Sequence, residues 1–315
     1  MAMQWMRRAW VTAAASALLL SACGGGSTVT SRLSPSRVIV FGDAMADMGQ
    51  DGAHYTVNDG SVNNWAQYVA SEYGQNLTPS SRGGLDYAWG NARVLATPDA
   101  AGNAGTPTVK QQVDQFLASN TLGSNDLVIV SAGTADVITQ AQAVLSGAQT
   151  TDQALVNLDQ AGNDLADQVK RLVSAGAQHV VVAGSYDLGR SPWAVQLGSD
   201  ALLHPASTQF NNRLLVSLVN YGATVLYVDA ALYFNQQTSS SSSVSNYTNS
   251  VCTSVDAGPG IGTGDNQVNS HLCSTSTLLS GADYSTYLWA DRVYPTPRGH
   301  TLFGDYAFGR IRDRW

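Results

Sequence analysis

The chain has 315 residues, 44 % of them hydrophobic, with a formal net charge of −7 and three cysteines. That is enough apolar material for one large buried core. The acidic balance, with Lys110 and Lys170 as the only lysines, argues against nucleic acid as a partner, because phosphate binding needs clustered cations.

At the N-terminus, Arg7 and Arg8 precede an apolar run, Ala9–Leu20, which leads into Ser21-Ala22-Cys23 and a Gly-Gly-Gly-Ser stretch. The run is too short for a stable membrane span and reads as an export signal. Small residues directly before a cysteine resemble the bacterial lipoprotein box. The resemblance implies cleavage after residue 22, a lipid on Cys23 and a tether over residues 23–36. It also implies attachment to a membrane of the bacterial cell envelope, and Gly24 is compatible with the outer membrane. An ordinary cleaved signal ending near Ala22 is the alternative and leaves the same flexible tether. Removing residues 1–22 takes away two arginines and no acids, so the net charge moves from −7 to −9.

From residue 37 to 315 short β-branched runs alternate with helical stretches, the pattern of an α/β domain whose parallel sheet is covered on both faces. In chain order the elements are a strand at Val38–Phe41, helices at Asn63–Tyr73 and Val109–Leu117, and a strand at Leu127–Val130. A long amphipathic helix at Thr151–Ala175 follows, capped by Thr151 or Asp152 and ended by Gly176. Then come a strand at Val180–Ala183, a helix at Ala206–Tyr221 and a strand at Val225–Val228. Residues 236–285, with a serine run and a Gly-Pro-Gly cluster, show little periodicity and read as a long excursion from this domain. The last helix starts at Thr296-Pro297, with threonine as cap and proline in the first helical position. Apart from Cys23 the cysteines are Cys252 and Cys273, both in the excursion. In an exported protein such a pair predicts a disulfide, the alternative being two buried free thiols.

Four segments place reactive residue types at strand ends or helix starts: Phe41-Gly42-Asp43-Ala44 with its extension to Gly49, Asp86-Tyr87-Ala88-Trp89-Gly90-Asn91-Ala92, Gly133-Thr134-Ala135-Asp136, and Asp291-Arg292-Val293-Tyr294-Pro295-Thr296. In that order they resemble the four motifs of the GDSL-type SGNH ester hydrolases. The resemblance implies a flavodoxin-like, three-layer α/β/α fold. It also implies hydrolysis of carboxylic esters, lipids among them, through a serine acyl-enzyme that uses no metal or cofactor, with a lipid or acyl-ester ligand as partner.

Each motif departs from the family pattern at a residue that carries chemistry. Ala44 stands at the nucleophile, and a methyl group cannot attack a carbonyl. Asn91, or Gly90 if the alignment shifts by one, stands where a glycine gives its N–H to the oxyanion, and asparagine tolerates the left-handed backbone. Ala135 replaces an asparagine oxyanion donor, a change worth ~100-fold to 1000-fold in rate. Asp291 matches the residue that orients the base, but Tyr294 replaces the histidine itself, and a phenol with a pKa near ~10 is a poor base at neutral pH. His300, six positions on in the first turn of the last helix, is the candidate substitute base, the alternative being a capping or packing role.

The residues also allow other readings. Asp43, Asp47, Asp136, Asp291 and His300 can converge at the strand ends as a divalent-metal cluster, although their spacing matches no metal motif and caps or ion pairs explain them more simply. Ser131 and Ser185, at strand ends, are positions for a displaced nucleophile. His54, His179, His204 and His271 have no assignable partners in the sequence. The Asn58–Trp65 segment resembles the family's loop over the substrate cleft. Three functions stay open: a weakened or relocated ester hydrolase using Asp291 and His300, a pseudoenzyme with an acyl- or glycan-binding cleft, and a structural envelope lipoprotein.

Overall fold

The computed structural model describes residues 33–61, 64–239 and 242–315. Its centre is a parallel sheet in which β1 (Arg37–Gly42), β2 (Asp126–Ser131), β3 (His179–Ala183) and β4 (Val225–Tyr227) lie side by side in that order. The first three are near-continuous apolar runs buried on both faces, as a parallel sheet between two helix layers requires. On the free edge of β1 a further short segment pairs in parallel, with the Val40 N–H donating to Leu85 O (3.0 Å) and the Tyr87 N–H to Val40 O (2.8 Å). Counting this segment as the second strand in the chain, the spatial order is 2-1-3-4-5, the flavodoxin-like arrangement.

The helices are α1 (Trp65–Glu72), α2 (Val109–Ser119), α3 (Thr134–Leu145), α4 (Thr151–Ser174), α5 (Pro192–Leu197), α6 (Leu203–Ser217), α7 (Ala230–Gln237) and α8 (Pro297–Arg314). One layer is built from α2, α3, α4 and α6, the other from α1, α7 and α8. The start of α8 is as expected: Thr296 Oγ1 accepts the Gly299 N–H (3.2 Å) and Pro297 opens the helix. Elsewhere the boundaries move. Thr150, not Thr151 or Asp152, caps α4, α6 begins at Leu203 and gives way to a 3₁₀ turn at Val219–Tyr221, and Asn64 caps α1, while Asn63 lies outside the described residues.

Residues 1–22, expected above to be an export signal, and Cys23 also lie outside the described residues. Residues 33–36, assigned above to the tether, are docked on the domain. Leu33 is buried, Ser34 O accepts from Asn125 Nδ2 (2.6 Å), Pro35 O accepts from Gln75 Nε2 (3.2 Å), and the Ser36 N–H donates to Asn125 O (3.0 Å).

The excursion is more ordered than its composition suggests. In it β5 (Asn246–Ser250) pairs with β8 (Tyr287–Trp289), and β6 (Val255–Asp256) pairs with β7 (Gln267–Val268). The Cys252–Cys273 disulfide is formed and sits with Val57, Val251 and Ala290 in a small core of its own.

Candidate active site

The register of the sheet aligns Gly42, Ser131 and Ala183 at the carboxyl ends of β1, β2 and β3. This brings the first and third motifs side by side. Only glycine fits at residue 42: a Cβ there would lie 1.9 Å from Ser131 O, and φ is +155°. Buried Gln112 on α2 clamps both backbone groups of Gly42, accepting its N–H (2.8 Å) and donating to its carbonyl (2.9 Å).

The chain then turns, and Asp43 points beneath the start of α3. Its Oδ1 accepts the Met45 N–H (3.1 Å), and its Oδ2 accepts the Thr134 N–H (3.0 Å) and, more weakly, the Ala135 N–H (3.4 Å). Gly133, which precedes α3, offers no capping side chain, so Asp43 supplies the cap from another strand. Burial pushes its carboxyl up to about 7. Ala44 follows and is itself buried, 2 % exposed.

Asp47 laces the first motif to the second. Its Oδ1 accepts the N–H groups of Gly49 (2.8 Å) and Gln50 (3.0 Å), and its Oδ2 accepts that of Gly90 (2.8 Å). Burial raises this carboxyl to about 7 as well. Asp86 works the same way, holding the N–H groups of Met48 (2.6 Å) and Ala88 (2.9 Å). The Gly90 N–H, one of the two candidate oxyanion donors, is therefore committed to a carboxylate. Asn91 adopts the left-handed backbone expected of it (φ 61°), and its side-chain amide donates to Gly260 O (3.1 Å) and Tyr55 Oη (3.3 Å).

In the third motif Ala135 is fully buried and has no polar side chain to offer. Asp136 accepts the Val94 N–H (2.9 Å) and faces Arg93 across 3.5 Å; burial raises its pKa to about 6. In the fourth, Asp291 orients no base. Its Oδ1 accepts the Val293 and Tyr294 N–H groups (both 2.7 Å) and its Oδ2 that of Ser270 (2.9 Å), fixing the turn and tying the excursion to it. Tyr294 is fully buried, its hydroxyl has no hydrogen-bond partner, and burial holds its pKa well above the usual phenol value. His300, in the first turn of α8, is also buried. Its ring nitrogens make no well-formed hydrogen bond, and desolvation drives its pKa down to about 3, against the opposing effect of the Tyr55 backbone. An imidazole with so low a proton affinity is a weak general base.

Tyr55 was not visible as a site residue in the sequence, yet it joins these parts. Its ring meets Tyr294 edge-on (centroids 5.3 Å), its hydroxyl takes the Asn91 amide, and it covers Gly90 so closely that a Cβ there would fall 2.1 Å from the ring. No local pattern marks it, because every partner is distant in sequence. The site positions are thus linked by contacts: the Asp43 carboxylate reaches α3 at Ala135, Asp47 holds Gly90, and Tyr294 packs on Tyr55 over Gly90 and Asn91.

The remaining candidates are buried or have structural partners. Ser185 is buried and donates to Tyr186 O (2.9 Å), and Ser131 is buried at the end of β2. His54 Nε2 bonds Met48 O (3.0 Å), His179 packs edge-on against Trp315 (5.0 Å), His204 meets Asp187 (2.7 Å), and His271 meets Asp51 (2.8 Å). Among the described residues no three His, Cys, Asp or Glu side chains are grouped to hold a metal ion. The Asn58 segment is tied to the excursion, with the Asn58 N–H and Nδ2 both donating to Cys273 O (3.0 Å each) and Asp59 accepting from the Tyr284 hydroxyl (2.8 Å).

Residues 38–307, which span all four motifs, match the GDSL-like lipase/acylhydrolase family. The chain belongs to that family. Lipase 1 of Photorhabdus luminescens is 28 % identical over 171 residues, covering 53 % of this chain and only 24 % of that protein. Among solved structures, a carbohydrate acetylesterase from Sinorhizobium meliloti (13 % identity, TM-score 0.46) covers 89 % of this chain and 99 % of its own. A phospholipase A1 from Streptomyces albidoflavus (14 % identity, TM-score 0.46) covers 88 % of this chain and 98 % of its own. The match runs through Ala44, Ala135 and Tyr294, the three positions where the sequence departs from the motif pattern expected above.

Proposed function

We propose that this GDSL-family chain keeps the hydrolase scaffold but not the serine acyl-enzyme reaction, and that it serves at a bacterial envelope membrane as a binding or structural protein held by a lipid on Cys23. The observation that carries the reading is Ala44, a buried methyl at the nucleophile position. Its surroundings support it: the Gly90 N–H is taken by Asp47, Ala135 has no amide, and Tyr294 holds its proton too tightly to act as a base. A relocated hydrolase built on Asp291 and His300 is disfavoured, since Asp291 is saturated by three backbone N–H groups and His300 is desolvated.

The test is labelling of the purified protein with a serine-directed fluorophosphonate, read by intact mass, beside turnover of a short-chain p-nitrophenyl ester. The expected result is neither adduct nor an acyl-enzyme burst. A stoichiometric adduct on any serine would overturn the reading and locate the nucleophile. The membrane part rests on Ser21-Ala22-Cys23, and no described helix is long and apolar enough to cross a membrane. Cys23→Ser should release the protein from membranes, because a lipid would be its main anchor; continued sedimentation with salt-washed membranes would contradict it.

A further inference from the structure

Past the carboxyl ends of β3 and β4, away from all four motifs, lies a cavity of about 140 Å³. Ligands of doubly wound sheets collect at this edge of the strands. One wall is a dyad. Asp187 is buried, accepts the Gly189 N–H through Oδ1 (2.9 Å) and holds His204 Nδ1 through Oδ2 (2.7 Å), while the imidazole itself is half-exposed. A carboxylate partner on Nδ1 orients the ring and directs Nε2 away from Asp187, where it can hydrogen-bond a ligand.

The opposite wall comes from α7 and the loop before it. Asp229 caps α7 through Oδ1, which accepts the Leu232 N–H (2.9 Å), so its other oxygen is left for further partners. Asn235 and Asn211 also line the cavity, and each has a buried side-chain oxygen without a hydrogen-bond partner. Tyr227, largely buried, adds an aromatic surface.

This lining selects a ligand by chemistry. Two carboxylates repel anions, no three metal-ligating groups are clustered among the described residues, and an alkyl chain would desolvate the second Asp229 oxygen and His204 without giving them a partner. The lining is rich in acceptors, so the ligand must bring donors. Asn211 already donates its amide to Ser185 O (2.6 Å), so the Asn235 amide supplies the donor beside those acceptors, which matches hydroxyl groups, each both donor and acceptor, better than an ammonium that only donates. The cavity is smaller than the roughly 300–1,000 Å³ of drug-sized sites, which suits a single ring.

We propose that this cavity binds one neutral polyhydroxylated unit, a sugar ring, between the Asp187–His204 dyad and the Asp229–Asn235 wall. The proposal is independent of the chemistry at Ala44. The experiment is ligand-observed saturation-transfer NMR on the purified protein with the methyl α-glycosides of glucose, mannose and galactose, and with methylammonium and butyrate as controls lacking hydroxyls. At least one glycoside should bind saturably, and His204→Phe and Asn235→Leu should each weaken it by about tenfold, the loss of one or two hydrogen bonds. Both residues are at least partly exposed, and the two variants check each other if one fails to fold. No transfer from any glycoside, transfer undiminished in both folded variants, or binding of methylammonium in their place would each overturn the proposal.

Discussion

Within the same four motifs, the residues that hold backbone and the residues that would do chemistry have diverged. On the motif assignment read from the sequence, Asp43, Asp47, Asp136 and Asp291 keep the expected pattern, and each of these acids accepts buried backbone N–H groups, one for Asp136 and three for each of the others. Ala44, Ala135 and Tyr294 depart from it, and their side chains hold no backbone group. A carboxylate of the first kind cannot be removed without stranding buried donors, whereas a nucleophile or base can be replaced without disturbing the fold. Motif shape in this protein therefore reports scaffold and ancestry, while the reaction must be read from individual side chains.

The largest effect that sharpens this contrast should come from Asp47→Ala. Each stranded buried N–H costs about 1–3 kcal/mol; relief of the carboxylate's own desolvation offsets part of that, leaving a net loss of about 3 kcal/mol in urea unfolding. A loss below about 1 kcal/mol would break the contrast. Next is removal of the disulfide by Cys252→Ala with Cys273→Ala. The pair is separated by 21 residues, and opening it should cost up to about 3 kcal/mol in the chain-entropy model. Hydrogen exchange should show the loss confined to the excursion, with β1–β3 still protected; loss of protection across the sheet would show the excursion to be part of the main cooperative unit.

Much of this framework was legible in the sequence, for physical reasons. The four strands announce themselves as unbroken β-branched runs, α8 carries its own Thr296-Pro297 start, and Cys252 and Cys273 are the only pair left beyond Cys23. Helix α3 was invisible because its cap is not local: Asp43, on another strand, supplies what Gly133 lacks. The role of Tyr55 was hidden likewise, since its contacts to Gly90, Asn91 and Tyr294 exist only after folding. The small sheets of the excursion escaped because two-residue strands such as β6 and β7 have no periodicity to detect.

A smaller effect is expected from pH. Asp43 and Asp47 titrate near 7 in the folded protein against 3.8 for the free group, so the folded state binds the extra protons. Their contribution is complete below about pH 4 and is lost as pH rises toward 7. His300, lowered from 6.5 to about 3, works in the opposite sense: its contribution is present above 6.5 and lost as pH falls, which offsets part of that loss. Asp43→Asn should shrink the loss of stability between pH 5 and pH 8 relative to wild type; an unchanged difference would mean that Asp43 carries no such coupling. The smallest effect should be that of Ala44→Ser, within about 1 kcal/mol of wild type in the same unfolding assay, because residue 44 supports no other group.

The central claim is that nucleophile, oxyanion donor and base are all missing while the scaffold remains. It is tested most directly by ester turnover of Ala44→Ser alone beside Ala44→Ser combined with Ala135→Asn and Tyr294→His. Groups that act as one unit are strongly non-additive, so the single variant should stay near background and the triple variant should exceed it by about 100-fold or more, the scale of one oxyanion donor. Rapid turnover by Ala44→Ser alone would contradict the account, because a working base, with His300 the first candidate, would already have to be in place.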